Sequence, residues 1–442
     1  MCMSHLSSIR IVSNMPSYKL TYFDARGSAE LTRLALAAAG ADFEDDRLSR
    51  EEWAALKPET PQGKVPIFKV DEKVIPQSRA MLRYIARQYG LYGKDNEEKT
   101  DVDVVIETVQ DLNDQIFRSF FESDEKKKAE LHKELLDKTV PTYFKIFEKL
   151  LGKKDWMVGS KLSIADLAVM NVFDYMDPLY EKVNGQSIYA KNPVMKNHAD
   201  RVKAIQNIKE WLEERPETDR RYRYMSHLLS IRIVSNMPSY KLTYFNGKGG
   251  AELTRLAFAA AGVDYEDERV TREDWPALKP ETPQGKLPIL KVDEKVIPQS
   301  RAMLRYIARQ YGLYGKDNQE QTDVDVVIET VQDLNEQIFK SFFESDEKKK
   351  AELHKELLDK TVPTYFKIFE KLLGKKDWMV GSKLSIADLA VMNVFDYIDP
   401  MCVKVNGQSI YAKNPVMKTH ADRVKEIPNI NKWLKKRPES EF

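Results

Sequence analysis

Each half of this 442-residue chain is expected to fold as a small α/β layer followed by an all-helical domain, and the pair then repeats. Three observations predict this. The chain is longer than one ordinary hydrophobic core supports, which points to several domains. Tyr18 and Tyr240, Trp53 and Trp275, and Trp211 and Trp433 are matched pairs, each 222 positions apart with no gap. A period this long repeats whole domain sets, not the short units of a solenoid. Within each unit, alternating and short apolar runs give way after "LYGKDNEE" to apolar residues at helical spacing.

The elements follow in order. "YKLTYF" alternates as a strand, and "AELTRLALAAAG" is a helix closed by Gly40, the residue that best tolerates the left-handed end of a helix. "DFEDDRL" reads as a second strand and "KVPIFKVDEKVIP" as a hairpin of two more. "SRAMLRYIARQYG" returns to helix and ends on Gly90. The order βαβ then ββα is that of a small α/β layer. The stretches "DVDVVIETVQDLNDQIFRSFF", "VPTYFKIFEKLL", "SIADLAVMNVFDYM", "MKNHADRVKAI" and "IKEWLEER" are helical. Ser163 is the expected N-cap of the third of these, with Asp166 completing a capping-box variant.

Composition excludes several classes. With 42% hydrophobic and 31% charged residues the chain is of the folded, soluble type. Lysine and arginine number 70 against 69 acids, so no global field draws in nucleic acid or an anionic membrane. The two cysteines, Cys2 and Cys402, exclude a disulfide framework and fit a reducing compartment. No apolar stretch approaches 18 residues. The leader "MCMSHLSSIRIVSNMPS" has no signal-peptide apolar block, and its near copy recurs from Met225, so the cytosol is the expected location. Six scattered histidines form no ligand motif, and no metal site is expected. Nucleophile-elbow, P-loop and dinucleotide signatures are missing as well.

Three places remain as candidates for chemistry. Tyr22 ends the first strand just before a glycine-containing turn and a helix, a position that faces a ligand crevice in α/β layers, or else packs under the helix. Pro66, after Lys64 and Val65, either forms a cis turn that offers backbone groups to a peptide-like ligand or simply opens a strand. Gln77 and Ser78 start a helix, where free N–H groups favour a carboxylate or need only a cap.

Their order along the chain carries more than each alone. "YKLTYF…RGxAEL", "DW…LKPETPQGKVPI", "PQSRAMLRYIA", "VIETVQDLND" and "LSIADLAVMNV" together resemble the sigma-class glutathione transferases, in both units. The resemblance implies an α/β thioredoxin-like domain plus an all-α helical domain in each unit. The expected boundaries are a leader over 1–16, thioredoxin-like domains over 17–93 and 239–315, helical domains over 94–216 and 316–442, and a linker over 217–238. It further implies glutathione as co-substrate, no metal, and small hydrophobic electrophiles as partners. Units are expected to pair, either within the chain or between two chains.

By the same resemblance, Tyr22 and Tyr244 hydrogen-bond the glutathione sulfur. A free thiol with a pKa of about 8.5 is only a few per cent thiolate at neutral pH, and a phenol O–H aimed at sulfur raises that fraction. Gln77 with Ser78, and Gln299 with Ser300, correspond to the pair that holds the γ-glutamyl end. Val65 and Leu287, each before a cis-proline, correspond to the backbone clamp on the cysteinyl part. Trp53, Lys57 and Lys64, with Trp275, Lys279 and Lys286, surround the glycyl carboxylate. Asp111 and Asp333 correspond to an acid that crosses to the partner unit's glutathione amine. Two departures stand out: Ser28 and Gly250 occupy the place of a thiolate-supporting arginine, and Arg118 and Lys340 replace an aromatic residue of prostaglandin D synthases.

The expected activity is therefore conjugation of glutathione to small electrophiles. The alternatives are a non-catalytic, crystallin-like or ligand-binding protein, and a glutathione-dependent peroxidase or prostaglandin isomerase. "DARGS" against "NGKGG", and Pro178-Leu179-Tyr180-Glu181 against Pro400-Met401-Cys402-Val403, are the main differences between copies. They predict a shared glutathione site with divergent electrophile preference.

Overall fold

The computed structural model describes residues 16–122, 124–190, 192–216 and 238–438. The leader and most of the linker lie outside the described residues, as do Cys2 and His5.

Copy 1 begins with β1 (Tyr18–Phe23), α1 (Glu30–Ala39) and β2 (Glu44–Leu48). A short α2 (Arg50–Leu56) leads to β3 (Ile67–Val70), β4 (Lys73–Pro76) and α3 (Ser78–Tyr89). The sheet order is β2-β1-β3-β4, with β2 parallel to β1 and β3 antiparallel to it. This is the thioredoxin-like arrangement. Gly40 closes α1 at φ 61°. The sequence reading missed α2, whose Ser49 cap forms a reciprocal pair with Glu52.

The helical part comprises α4 (Asn96–Phe120), α5 (Glu125–Glu134), α6 (Val140–Leu151), α7 (Ile164–Asn184), α8 (Pro193–Lys203) and α9 (Gln206–Glu214). Asp166 accepts hydrogen bonds from Ser163 N and Oγ at 2.8 and 2.9 Å, so the expected capping box is present. Copy 2 repeats the pattern as β5 (Tyr240–Phe245), α10 (Glu252–Ala261), β6 (Glu266–Val270), α11 (Trp275–Leu278), β7 (Ile289–Val292), β8 (Lys295–Pro298) and α12 (Ser300–Gln310). Its helical part is α13 (Asn318–Phe342), α14 (Glu347–Glu356), α15 (Val362–Leu373), α16 (Ile386–Asn406), α17 (Pro415–Glu426) and α18 (Pro428–Lys436). Pro276 at the second position of α11 removes an amide donor, and this helix is shorter than α2.

The two cores differ by an exchange that conserves volume. In copy 1, Tyr18 stacks on Phe68 of β3 with ring centroids 5.4 Å apart. Copy 2 has Leu290 there and carries the ring on α10 instead, where Phe258 lies 5.0 Å from Tyr240 and 4.5 Å from Tyr265. Leu36 of copy 1 occupies the position of Phe258. Moving an aromatic ring between facing elements while a leucine moves the other way keeps the core filled.

The copies dock on one another, α3 against α13 and α12 against α4. Val104 joins the core of copy 2 and Val326 the core of copy 1. Between them lies a buried charge cluster. Arg79, Arg83, Arg87, Arg301, Arg305 and Arg309 meet Asp103, Glu107, Asp325 and Glu329. Glu329 is 0% exposed and takes guanidinium groups from both copies: Arg83 at 2.8 Å, Arg305 at 2.7 Å, Arg79 at 2.9 Å and Arg301 at 3.2 Å. Pairing of units therefore occurs within this single chain.

Candidate active site

Tyr22 is half-buried at the end of β1, where the chain turns through Gly27 at φ 43° into α1. A Cβ added to Gly27 would sit 2.5 Å from Tyr22 Oη, so only glycine lets the turn pass this close to the hydroxyl. Ser28 N donates to Tyr22 Oη at 3.4 Å, and Gly250 N donates to Tyr244 Oη at 3.1 Å. The oxygen accepts from the turn, which leaves the O–H proton available to donate outward. The residues that lack the arginine side chain thus serve the tyrosine through their backbone. Trp53 packs edge-on against Phe23 at 5.8 Å, and Phe23 against Tyr22 at 5.5 Å; Trp275, Phe245 and Tyr244 repeat the row.

Val65–Pro66 and Leu287–Pro288 are cis peptide bonds, placed at the entrances to β3 and β7. Gln77 and Gln299 each hold φ at 72°, a left-handed conformation directly before Ser78 and Ser300 begin their helices. A half-exposed Lys64 sits in the turn before Pro66, and exposed Lys57 lies over the same turn near Gly63.

Asp333 of copy 2 reaches into this group. Its Oδ2 accepts from Lys64 Nζ at 2.5 Å and from Gln77 Nε2 at 3.0 Å. Reciprocally, Asp111 of copy 1 accepts from Lys286 Nζ at 2.5 Å and Gln299 Nε2 at 2.9 Å. Burial opposes the charge on Lys286, but Asp111 and Tyr143 outweigh it and raise its pKa. The same balance with Asp333 and Tyr365 raises Lys64. Each group of candidate residues is thus contacted by an aspartate from the other half of the chain.

Several residues of this network escaped the sequence reading. Gln62 bridges Gln77 and Thr330 at 2.9 Å each, and Gln284 bridges Gln299 and Thr108 at 2.9 and 2.7 Å. Tyr143 Oη accepts from Lys286 at 3.3 Å. Gln62 stands inside the "PQGK" turn already singled out, and that proximity was the available signal. Tyr143 and Thr108 had none, because their partners lie in the other copy.

In copy 2 a cavity of about 180 Å³ opens beside the tyrosine turn. It touches Gly250, whose amide holds Tyr244, and Ser300 at the start of α12. Leu253, Leu304, Phe339 and Val394 supply apolar wall, and Tyr397 closes the side given by α16. Burial, followed by the nearby Tyr244, raises the pKa of Tyr397. The corresponding residues of copy 1 are more buried. Gly27 and Ser78 are buried and the Arg79 side chain is 3% exposed, whereas Gly249 and Gly250 are exposed and Arg301 is 18% exposed. Of the two clusters of differences, the first therefore borders this cavity. The second lies a turn beyond Tyr397 on α16, where Cys402 is buried away from the cavity wall.

Among the described residues no group of three or more histidine, cysteine, aspartate or glutamate side chains could hold a metal, and no helix is long and apolar enough to cross a membrane.

Comparison with known proteins agrees with this geometry. Residues 18–87 and 240–309 match the family model "Glutathione S-transferase, N-terminal domain", and 110–215 and 332–437 match "Glutathione S-transferase, C-terminal domain". Glutathione S-transferase 1 of Ascaris suum is 38% identical over 215 residues, 47% of this chain and 100% of the relative. Hematopoietic prostaglandin D synthase of Gallus gallus is 37% identical over 204 residues, 46% of this chain and 99% of the relative. S-crystallin SL11 of Nototodarus sloanii is 34% identical over 210 residues, 47% of this chain and 100% of the relative. One whole relative thus corresponds to one copy, and each copy keeps a tyrosine placed to stabilise a thiolate. The chain belongs to the glutathione S-transferase family, as a tandem duplication of a sigma-class-like enzyme unit.

Proposed function

We propose that this protein conjugates the glutathione thiolate to small hydrophobic electrophiles at two sites, each shared between the copies. Tyr22 and Tyr244 donate their O–H to the sulfur. Gln77 with Ser78, and Gln299 with Ser300, hold the γ-glutamyl end, and the Val65 and Leu287 backbones hold the cysteinyl part. Trp53, Lys57 and Lys64, with Trp275, Lys279 and Lys286, surround the glycyl carboxylate. Asp333 serves copy 1 and Asp111 serves copy 2.

The observation that carries the reading is the state of the tyrosine oxygen. It accepts from Ser28 N or Gly250 N, which leaves its O–H proton free to be donated to a ligand sulfur. A protein kept only for bulk, as in the crystallin reading, has no need of this arrangement in both copies.

The copies are proposed to differ in electrophile preference, copy 2 taking the larger molecules. The cavity beside Gly250, and the deeper burial of Gly27 and Arg79 than of Gly249 and Arg301, support this. The test is the double variant Tyr22→Phe/Tyr244→Phe. Losing a hydrogen bond to a charged sulfur costs about 1.5–3 kcal/mol, or roughly 10- to 150-fold in turnover at neutral pH. Glutathione affinity, followed by tryptophan fluorescence, should change little. Turnover equal to that of the parent would sink the assignment. The single variants then report each site, and identical substrate profiles from the two would remove the proposed divergence.

A further inference from the structure

The last helices of the two copies carry opposite charge. In α9, Lys209 is outnumbered by Glu210, Glu213 and Glu214; in α18, Lys432, Lys435 and Lys436 stand at the positions of those three glutamates. The three glutamates and the three lysines are all exposed, and each helix packs on its own copy, α9 on α1 and α18 on α10. Spacings of three and four residues put each trio on one helical face. Lysine near a helix C-terminus complements the backbone dipole, so the lysines of α18 have a local reason. Glutamate there opposes the dipole, and α9 ends on two glutamates with no basic residue in its last turn. The acids of α9 need a reason outside their own helix.

A cleft of about 480 Å³ lies beside α18, with Val263 and Trp433 among its apolar groups. Its charged groups are Lys432, Lys436 and Arg269 against Asp264 and Asp267, an excess of one positive charge. The corresponding residues of copy 1 are Arg47 against Asp42, Asp45, Glu210 and Glu214, an excess of three negative charges. Both reversals fall on the helix, while Asp267 is already paired with Arg255 and Arg269.

We propose that the partner of the α18 face is a second copy of this chain, whose α9 lies antiparallel along α18. Antiparallel packing brings Lys432 to Glu214, Lys435 to Glu213 and Lys436 to Glu210. Lys432 and Lys436 belong to the wall of the cleft, and a concave wall of low dielectric strengthens the field an arriving carboxylate meets. A single unit cannot make this contact with its own kind, because both partners would present the same charge. Duplication lets the two faces diverge, and one chain then carries both the acidic and the basic half of the contact. Exposed ion pairs are individually weak and are screened by salt, so the association is reversible and strongest at low ionic strength. The inference does not depend on the transferase reading.

The test is sedimentation velocity of the full chain over a range of concentrations, in about 20 mM and about 500 mM NaCl. At low salt the average mass should rise with concentration above that of one chain, and at high salt it should fall back to one chain. Lys432→Glu/Lys436→Glu and, separately, Glu210→Lys/Glu214→Lys should each weaken the association about tenfold or more, since each sets like charges against one another. Both pairs of substitutions alter exposed side chains, and circular dichroism reports the fold. Mixing the two double variants should restore association, because the acidic α18 of one then meets the basic α9 of the other. A parent that stays a single chain at low salt overturns the inference. So does association that persists at high salt, that the glutamate substitutions leave intact, or that the mixture of variants fails to recover.

Discussion

Replacing Glu329 by glutamine tests whether the docking of the two copies depends on their shared charge cluster. The side chain is 0% exposed, and its two oxygens take Arg83 and Arg305 on one side and Arg79 and Arg301 on the other, all between 2.7 and 3.2 Å. Glutamine keeps the size but removes the charge and turns an NH₂ group toward guanidinium donors. The cluster already holds six arginines against four acids, so the substitution enlarges an existing excess of positive charge. Removing one partner of a buried pair costs about 3–5 kcal/mol, because the remaining charges stay buried. For units of this size that corresponds to a fall of roughly 6–20 °C in Tm.

The dependence on pH follows from the same geometry. Burial alone would raise the Glu329 carboxyl, but Arg79, Arg301, Arg83 and Arg305 outweigh it and hold it far below the ordinary value. A depressed folded-state pKa contributes stability that is present above the unfolded value, about 4.3, and is lost as pH falls through the folded value. The gap between parent and Glu329→Gln should therefore be steady from about pH 5 to 8 and narrow in stronger acid. Thermal and urea denaturation followed by circular dichroism at several pH values would measure it. A gap below about 1 kcal/mol at neutral pH, or one that widens in acid, would refute the reasoning.

Two further outcomes follow from the crossed sites. In a Tyr244→Phe background, where copy 1 carries the activity, Asp333→Asn should raise the KM for glutathione about tenfold while Asp111→Asn leaves it unchanged. The pattern should reverse in a Tyr22→Phe background, and each aspartate affecting only its own copy would contradict it. Gly27→Ala should lower turnover at copy 1 at least tenfold, on the order of what loss of one charge-assisted hydrogen bond produces, since the added methyl meets Tyr22 Oη and φ is 43°. Full activity in that variant, assayed with Tyr244→Phe, would show that the turn is free to move away from the hydroxyl.

Much of the fold was legible because its signals are local. Alternation in "YKLTYF", the terminal Gly40, and the pair of Ser163 with Asp166 act within a few residues, and each element formed where its pattern stood. The α2 helix was missed because "SREEWAAL" is short and its apolar residues show no clear stripe, so a capping box decided the matter. Motif order along the chain was enough to identify the family, and the duplication was plain from the offset alone.

Local pattern and the 222-residue offset therefore specify the pair of units, their element order and the tyrosines at the ends of β1 and β5. Which aspartate meets which glutamine is set by how the copies pack. Gln77 and Asp333 stand 256 positions apart, and no periodic or local pattern links residues at that separation. Their meeting depends on six arginines and four acids that pair across the interface, a long-range balance that neither copy contains alone. The cavity beside Gly250 is likewise a product of packing: the turn after Tyr22 buries Gly27, whereas the turn after Tyr244 leaves Gly249 and Gly250 exposed beside an opening.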